Sequence, residues 1–178
     1  MQFSLISNQT NSIMTQYFIG LGSNIEPEKN IVKMIEGLFQ WSERVDVSEI
    51  FRFAPHKMES EQYFLNTVVR IETSLSPKKL KSELVKLEGQ LGRDRTDPDK
   101  KIKDRTADLD IVSHLELHQR QLNLMDLEEE EYVLYPLQSL LEFLNFETGS
   151  ILKSKSFPKT ALYFGATQIG EKVLSLYR

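Results

Sequence analysis

The ten residues FLNTVVRIET, at positions 64–73, have the two-residue period of a β-strand. One face carries Leu65, Thr67, Val69 and Ile71, and the other carries Phe64, Asn66, Val68 and Arg70. On an open sheet face, an aromatic ring beside an amide suits a flat heterocycle, which stacks on the ring and is hydrogen-bonded at its edge. The alternative is core packing for Phe64, with Asn66 simply lying near a strand end.

Outward from this strand, predicted strands and helices follow the order β-α-β-β-α-β. We predict strands over about 17–22, 44–53 and 106–113, and helices over about 27–43 and 77–91. Ser76 is the candidate N-cap of the second helix, Pro77 its first residue and Gly92 its stop. The order indicates an α+β, ferredoxin-like fold, an antiparallel sheet with both helices on one face. The other face is left open for a ligand or for the C-terminal third.

The two ends of the chain are less regular than its centre. Residues 1–15 read as a polar tail, in which Met14 is an alternative start, and 16–178 read as a single domain. A charged loop is predicted over 93–104, and four consecutive acids occupy 128–131. A helix over 136–146 forms a C-terminal helical extension, whereas 157–178 fits neither period.

Composition restricts the class of function. The chain has 178 residues, a formal net charge of −4 and no cysteine, so disulfides and thiolate metal sites are excluded. A mildly acidic charge is not typical of a general nucleic-acid binder, and no apolar run approaches the length of a membrane span. We therefore expect a cytoplasmic, monomeric protein that acts on small molecules, with no nucleic-acid or membrane partner.

Asp108 and Asp110 lie two residues apart on a predicted strand, so both carboxylates point to one face. Such oxygens suit magnesium that is shared with phosphates, the alternative being two solvated acids on an edge strand. Arg93, Arg95 and Arg105 bracket the loop just before this strand. Guanidinium groups bind phosphate oxygens bidentately, although a salt-bridge cluster would use the same residues.

Taken in order, these pieces resemble the 6-hydroxymethyl-7,8-dihydropterin pyrophosphokinase family of folate biosynthesis. The matching segments are Gly20-Leu21-Gly22-Ser23-Asn24, Phe64-Leu65-Asn66, Glu72-Thr73-Ser74-Leu75-Ser76-Pro77, Glu88, Gly92-Arg93-Asp94-Arg95 and Arg105-Thr106-Ala107-Asp108-Leu109-Asp110-Ile111. Their combination is more specific than any one of them. The resemblance implies a ferredoxin-like fold and transfer of the β,γ-diphosphate of ATP to the pterin hydroxymethyl group, with release of AMP.

The resemblance also implies roles for single residues on the nucleotide side. Asp108 and Asp110 would hold two magnesium ions that bridge the ATP phosphates. Arg93 and Arg105 would steady the transferring group. The residues near the nucleotide would further include Glu88, Arg95 and Ile111.

On the pterin side, the resemblance implies a hydrogen bond from Asn66, with Phe64 stacking on one side of the ring. Tyr132 matches the position of the aromatic residue expected on the other side, in Tyr132-Val133-Leu134-Tyr135-Pro136-Leu137. Phe53 is a further substrate-binding candidate, because Phe53-Ala54 stands where the family has Thr-Pro.

The C-terminal third departs from the family pattern. Leu124 stands at the place of a histidine and Glu130 at that of an arginine. The loop over 95–105 is longer than usual and lacks a tryptophan. Acids near a triphosphate repel it, so these changes fall mainly on the ATP side.

Three functions are compatible with these observations. The first is a working pyrophosphokinase with a modified nucleotide site that uses His118 or Arg120 instead. The second is a degenerate paralogue that binds a pterin or nucleotide without efficient transfer. The third is an RNA-recognition module, which shares the β-α-β-β-α-β order but is disfavoured by the acidic charge and by a 64–73 strand that is not rich in aromatic residues.

Overall fold

A computed structural model describes residues 13–55, 60–98, 103–127, 129–149, 151–153 and 155–178. The strands are β1 Thr15–Ser23, β2 Arg44–Val47, β3 Phe51–Phe53, β4 Phe64–Thr73, β5 Asp108–Glu116, β6 Leu162–Phe164, β7 Thr167–Ile169 and β8 Leu174–Tyr177. The helices are α1 Pro27–Leu38, α2 Pro77–Gln90 and α3 Glu131–Phe143, with a short 3₁₀ helix at Leu124–Asp126. Within these described ranges, no helix is long and apolar enough to cross a membrane. Most of the predicted tail lies outside the described residues, and β1 begins at its last position.

The main sheet has the strand order β5-β1-β4-β2-β8, with β3 also paired to β4, and every pair is antiparallel. Together with α1 and α2, its first strands form the βαββαβ unit of the ferredoxin-like class, which confirms the predicted α+β fold. The region over 157–178, for which no element was predicted, forms the β6–β7 hairpin and the edge strand β8.

Each face of the sheet carries its own hydrophobic core. The core beside α1 and α2 includes Leu65, Val69 and Leu109, whereas the core beside α3 includes Phe18 and Val68. This division confirms the two faces that were predicted for β4. The third helix therefore covers part of the face that the sequence left open, beside the end that carries Phe64 and Asn66.

The predicted strand over 44–53 is divided in two by a β-bulge. Three residues separate β2 from β3, whereas only two lie between their partners on β4. The hydroxyl of Ser48 fills the gap in the ladder, since it accepts a hydrogen bond from the backbone N–H of Val68 at 3.0 Å. The prediction missed the break because this bond joins residues twenty positions apart.

The predicted ends of two helices were wrong by five residues. The first helix ends at Leu38 rather than residue 43, because the next three N–H groups bond to carbonyls only three residues back. The third helix begins at Glu131 rather than Pro136, which lies inside it. Proline is common at helix starts, and the acidic residues before Tyr132 gave no apolar pattern for the first turn. The buried Val133, four residues before Leu137, does belong to the apolar stripe of this helix. In the second helix, the Ser76 cap and the left-handed Gly92 are confirmed.

A buried polar network joins four strands on the face that α3 partly covers. Arg70 is 4% exposed and donates to Asp46 Oδ2 at 2.9 Å and to Gln16 Oε1 at 2.8 Å, while it also pairs with Glu72. Asp46 in turn accepts a hydrogen bond from Ser175 Oγ at 2.5 Å, which fixes β8 to β2. The network therefore holds the C-terminal strand in register.

Candidate active site

A cavity opens at the end of the sheet where β1, β4 and β5 lie side by side. Gly22 on β1 pairs with Asn66 on β4 at one side and with Asp108 on β5 at the other. The floor of the cavity is therefore set by sheet register. The lining residues are Gly22, Phe53, Ala54, Phe64, Asn66, Arg105, Asp108 and Tyr132.

Gly22 gives the Asn66 amide its room. A Cβ atom at Gly22 would lie 2.9 Å from Asn66 Oδ1 and 3.9 Å from Asp108 Cβ. Any side chain here would push the amide away, so the glycine in the Gly-Leu-Gly-Ser-Asn segment is explained by a close approach of Asn66. Asn66 is only 7% exposed, so its orientation is fixed by packing.

Aromatic rings form the walls above this floor. Phe53 and Phe64 face each other in the β3–β4 register, and the Phe53 ring lies 6.3 Å from that of Tyr132 in an edge-on arrangement. Burial raises the pKa of Tyr132, and the nearby acids of the run before it raise it further, so its hydroxyl stays protonated. The structure thus brings together all four predicted substrate-binding residues: Phe53, Phe64, Asn66 and Tyr132.

Two arginines meet at the carboxylate of Asp108. Arg105 donates to Asp108 Oδ2 at 2.5 Å, and Arg93 lies 3.9 Å from Oδ1. The Arg93 side chain is 8% exposed, and burial lowers its pKa while Asp108 opposes that change. Arg105 also lies over the Phe64 ring, with its Cζ 5.6 Å from the ring centre. Arg93 and Arg105 therefore form a salt-bridge cluster with Asp108, and Arg105 is also part of the cavity wall.

Asn24 holds the backbone that carries Arg105. Its side chain accepts a hydrogen bond from the Arg105 N–H at 2.7 Å and donates to Asp104 Oδ1 at 2.6 Å. The Asn24 N–H also bonds to the Arg105 carbonyl at 3.1 Å. The sequence pointed to the segment that contains Asn24 but to no role for it, because its partners lie about eighty residues away.

Asp110 points to the outer edge of the site rather than into the cavity. It is 65% exposed and pairs with Lys81 Nζ of α2 at 2.5 Å. The same ammonium donates to the Leu109 carbonyl at 3.1 Å. Lys81 was missed by sequence reasoning because the contact joins two elements. Among the described residues, no group of three or more His, Cys, Asp or Glu is placed to hold a metal.

Comparison with known proteins assigns the chain to a family. The family model described as 7,8-dihydro-6-hydroxymethylpterin-pyrophosphokinase (HPPK) matches residues 18–142. The chain belongs to the HPPK family. The matched range contains every residue that the sequence proposed for the site and covers well over half of the chain.

Three relatives carry the name 2-amino-4-hydroxy-6-hydroxymethyldihydropteridine pyrophosphokinase. The Haemophilus influenzae protein is 28% identical over 78% of this chain and 89% of its own length. The Aquifex aeolicus protein is 30% identical over 70% and 79%, and the Pseudomonas aeruginosa protein is 28% identical over 77% and 87%. The resemblance inferred from short segments is therefore confirmed over most of the chain.

Three residues proposed to lie near the nucleotide are placed around β5 rather than on the cavity wall. Glu88 is fully buried and accepts hydrogen bonds from the Leu109 N–H at 2.8 Å and from Arg95 Nε at 2.5 Å. Burial raises the pKa of Glu88, an effect that these two donors partly offset. Ile111 packs against the core of α1 and α2. In this structure Glu88 therefore bonds to a backbone N–H of β5 and to Arg95 at the start of the charged loop.

The departures from the HPPK pattern have distinct structural consequences. Leu124, at the place where the resemblance implies a histidine, is fully buried in the core beside α3. Two acids of the run, Glu129 and Glu130, lie near the site: burial raises the pKa of Glu129, and Asp110 and Glu130 raise it further. Glu131 pairs with Lys155, and Glu128 lies outside the described residues. Negative charge is therefore concentrated on the Asp110 side.

The suggestion that His118 or Arg120 replaces the missing HPPK residues was wrong. They follow the far end of β5, whose eight-residue rise from Asp108 to Glu116 spans roughly 26 Å. His118 is 79% exposed, and Arg120 packs over the Phe146 ring while bonding to backbone carbonyls. The sequence could not show this distance, because the predicted strand ended at Ser113, whereas β5 continues to Glu116 and carries His118 and Arg120 away from the site.

Proposed function

We propose that this chain transfers the β,γ-diphosphate of ATP to the hydroxymethyl group of 6-hydroxymethyl-7,8-dihydropterin and releases AMP, a step of folate biosynthesis. The observation that carries the proposal is one cavity in which a buried amide and three aromatic rings meet an arginine–aspartate pair. The names of the relatives support the same activity.

The pterin half would be recognised by Asn66 and the aromatic walls. The Asn66 amide offers a donor and an acceptor, which match the edge of a pyrimidinone ring. Phe64 and Tyr132 supply flat surfaces on either side, and the low exposure of Asn66 makes its hydrogen bonds strong.

The phosphate half would rest on Arg93 and Arg105. Diphosphate transfer requires positioning and neutralisation of charge rather than a covalent nucleophile. Arg105 holds a fixed place through Asn24, and Arg93 lies at the same carboxylate, so both guanidinium groups are preorganised for phosphate oxygens.

Asp108 and Asp110 fit magnesium, for which we propose two ions. Both carboxylates already attract cations, Arg105 and Lys81, and they leave other coordination positions to water and ATP oxygens. Bound there, magnesium would neutralise the ATP phosphates. Roles for Glu88, Arg95 and Ile111 beside the nucleotide belong to the same proposal.

A second candidate is a protein that binds the pterin without efficient transfer. The concentration of acids around Asp110 favours it, because Glu129 and Glu130 would repel a triphosphate. We favour the enzyme, because the arginines and both aspartates are retained. We further propose that it acts as a cytoplasmic, single-domain monomer over 16–178, since one chain supplies the whole cavity wall.

AMP release from ATP, magnesium and the reduced pterin tests the proposal. The variant Asp110→Ala should lose transfer yet keep its fold and its pterin affinity, because Asp110 is exposed and does not line the cavity. The variant Asn66→Ala should weaken pterin binding. Pterin binding without AMP release by the native chain would favour the second candidate, and no pterin binding at all would refute both.

A further inference from the structure

An aromatic residue of the C-terminal region stands behind the pterin cavity. The Phe157 ring lies 4.7 Å from that of Phe53 and 4.9 Å from that of Tyr135. Phe53 is in turn the wall residue that faces Tyr132. Phe157 lies beyond the range 18–142 that matches the family, so it supports the wall from a part of the chain that the family match does not include.

The backbone just after Phe157 is bound to β3 and to Ile50 before it by an isolated β-bridge and main-chain hydrogen bonds. The Arg52 N–H donates to the Pro158 carbonyl at 2.8 Å, and the Thr160 N–H donates to the Ile50 carbonyl at 2.9 Å. Lys159 completes an antiparallel bridge with β3 and pairs with Glu49 at 3.2 Å. The position of Phe157 is thus fixed by main-chain hydrogen bonds on the element that carries Phe53.

Close packing at Gly170 holds the segment 158–160 in place. Gly170 has a φ of +98°, and the packing around it leaves no room for a side chain, since a Cβ atom would lie 2.2 Å from the Thr160 carbonyl oxygen. The Gly170 carbonyl accepts a hydrogen bond from the Ile50 N–H at 2.9 Å. Ile50 therefore bonds to two parts of the C-terminal region at once.

The residues just before Phe157 are bound to α3, which carries Tyr132. The Tyr135 hydroxyl donates to the Lys153 carbonyl at 2.6 Å, and the Leu152 N–H donates to Gln138 Oε1 at 2.8 Å. Lys155 forms the ion pair with Glu131. The C-terminal region therefore contacts both elements that supply the edge-on ring pair of Phe53 and Tyr132.

We propose that Phe157 is a positioning residue for the pterin, one that holds the Phe53 ring in the cavity wall and, through its edge-on contact with Tyr132, keeps Tyr132 oriented opposite Phe64. This inference rests on the proposed function. Phe157 acts through Phe53 and contacts no substrate itself. Without its ring, Phe53 would lose its nearest aromatic neighbour and rotate away from the wall, since aromatic contacts hold such rings in defined orientations.

Pterin and ATP affinities of the full chain test the proposal. The variant Phe157→Ala should raise the pterin Kd and KM by about three- to ten-fold, while the ATP Kd changes by less than about two-fold. The variant Phe157→Leu should recover part of the loss, because it refills most of the volume. If Phe157 only stabilised the fold, Phe157→Ala would instead lower the thermal midpoint and leave the pterin Kd of the folded fraction unchanged.

Phe164 supplies the matched control. It comes from the same C-terminal region and is also partly buried, but it packs on Phe39 at 5.7 Å, on the other face of the sheet. Phe164→Ala should lower stability without changing the pterin Kd. Equal pterin affinity in native chain and Phe157→Ala would overturn the inference and leave the proposed function standing. Absence of pterin binding by the native chain would overturn both.

Discussion

Replacing Gly22 by alanine tests the geometry of the pterin site without removing any side chain. The new Cβ atom would lie 2.9 Å from Asn66 Oδ1, which is 0.5 Å inside the 3.4 Å limit of ordinary contact. The φ of Gly22 is not positive, so alanine adds no backbone strain. Because the Asn66 backbone is held in β4, its amide must rotate to relieve the overlap.

The expected loss follows from one displaced hydrogen-bonding group. A buried amide that no longer meets its partner weakens binding by about 1–3 kcal/mol, or about 5- to 150-fold in Kd. Titration of the reduced pterin, followed by its fluorescence, measures this change. Stability should change by no more than about 1 kcal/mol, because the lower entropy of the unfolded chain offsets part of the overlap.

Gly89→Ala is the control for the same chemical change. Gly89 lies within α2, and a Cβ atom there would meet nothing within 4 Å. The variant should gain about 0.5–1 kcal/mol in helix stability and bind the pterin as the native chain does. A folded Gly22→Ala variant with native pterin affinity would refute the placement of Asn66 in the site.

Three further variants test the surroundings of the site. Asn24→Ala should reduce AMP release and lower the free energy of unfolding by about 1–3 kcal/mol, because Arg105 loses its anchor; unchanged urea unfolding would contradict this. Arg70→Met should destabilise the protein by about 3 kcal/mol in the same assay, since it leaves the buried Asp46 with only its partly exposed partners; a variant as stable as the native chain would count against the network. The pKa of Glu88 is raised in the folded protein, so its contribution to stability is present below pH 4.5 and is lost as the pH rises through the higher folded value. The variant Glu88→Gln should therefore show a weaker pH dependence of the thermal midpoint over that window, and parallel pH profiles of variant and native chain would argue against this.

The features that could be predicted from sequence are those set by neighbours within one element. The faces of β4 follow from a period of two, and the ends of α2 follow from Ser76 and Gly92. The placement of Asn66 and Asp108 on either side of Gly22 follows only once the strand register is known. The sequence therefore supplied the residues of the site, while their arrangement depends on the sheet.

The features that could not be predicted depend on contacts between distant segments. Lys81 meets Asp110 and Asn24 meets Asp104 across separations of 29 and 80 residues, for which no local pattern exists. No position in the fold was predicted for the acids before Tyr132, yet partial desolvation raises the pKa of Glu129, and the nearby Asp110 raises it further. Burial of a charge is a tertiary property, because it depends on what packs over the residue.

Arg105 joins the two halves of the site, and this determines what single variants can separate. It lines the pterin cavity, and it also lines the neighbouring charged cavity together with Arg93. A change at Arg105 would alter the Asp108 pair and the wall over Phe64 at once, so its effect on turnover could not be assigned to either substrate. Asn66 is buried in the cavity wall, whereas Asp110 is exposed, does not line the cavity and pairs with Lys81. Pterin affinity in variants of Asn66 and magnesium dependence in variants of Asp110 therefore report on the two halves independently, whereas Arg105 reports only on their coupling.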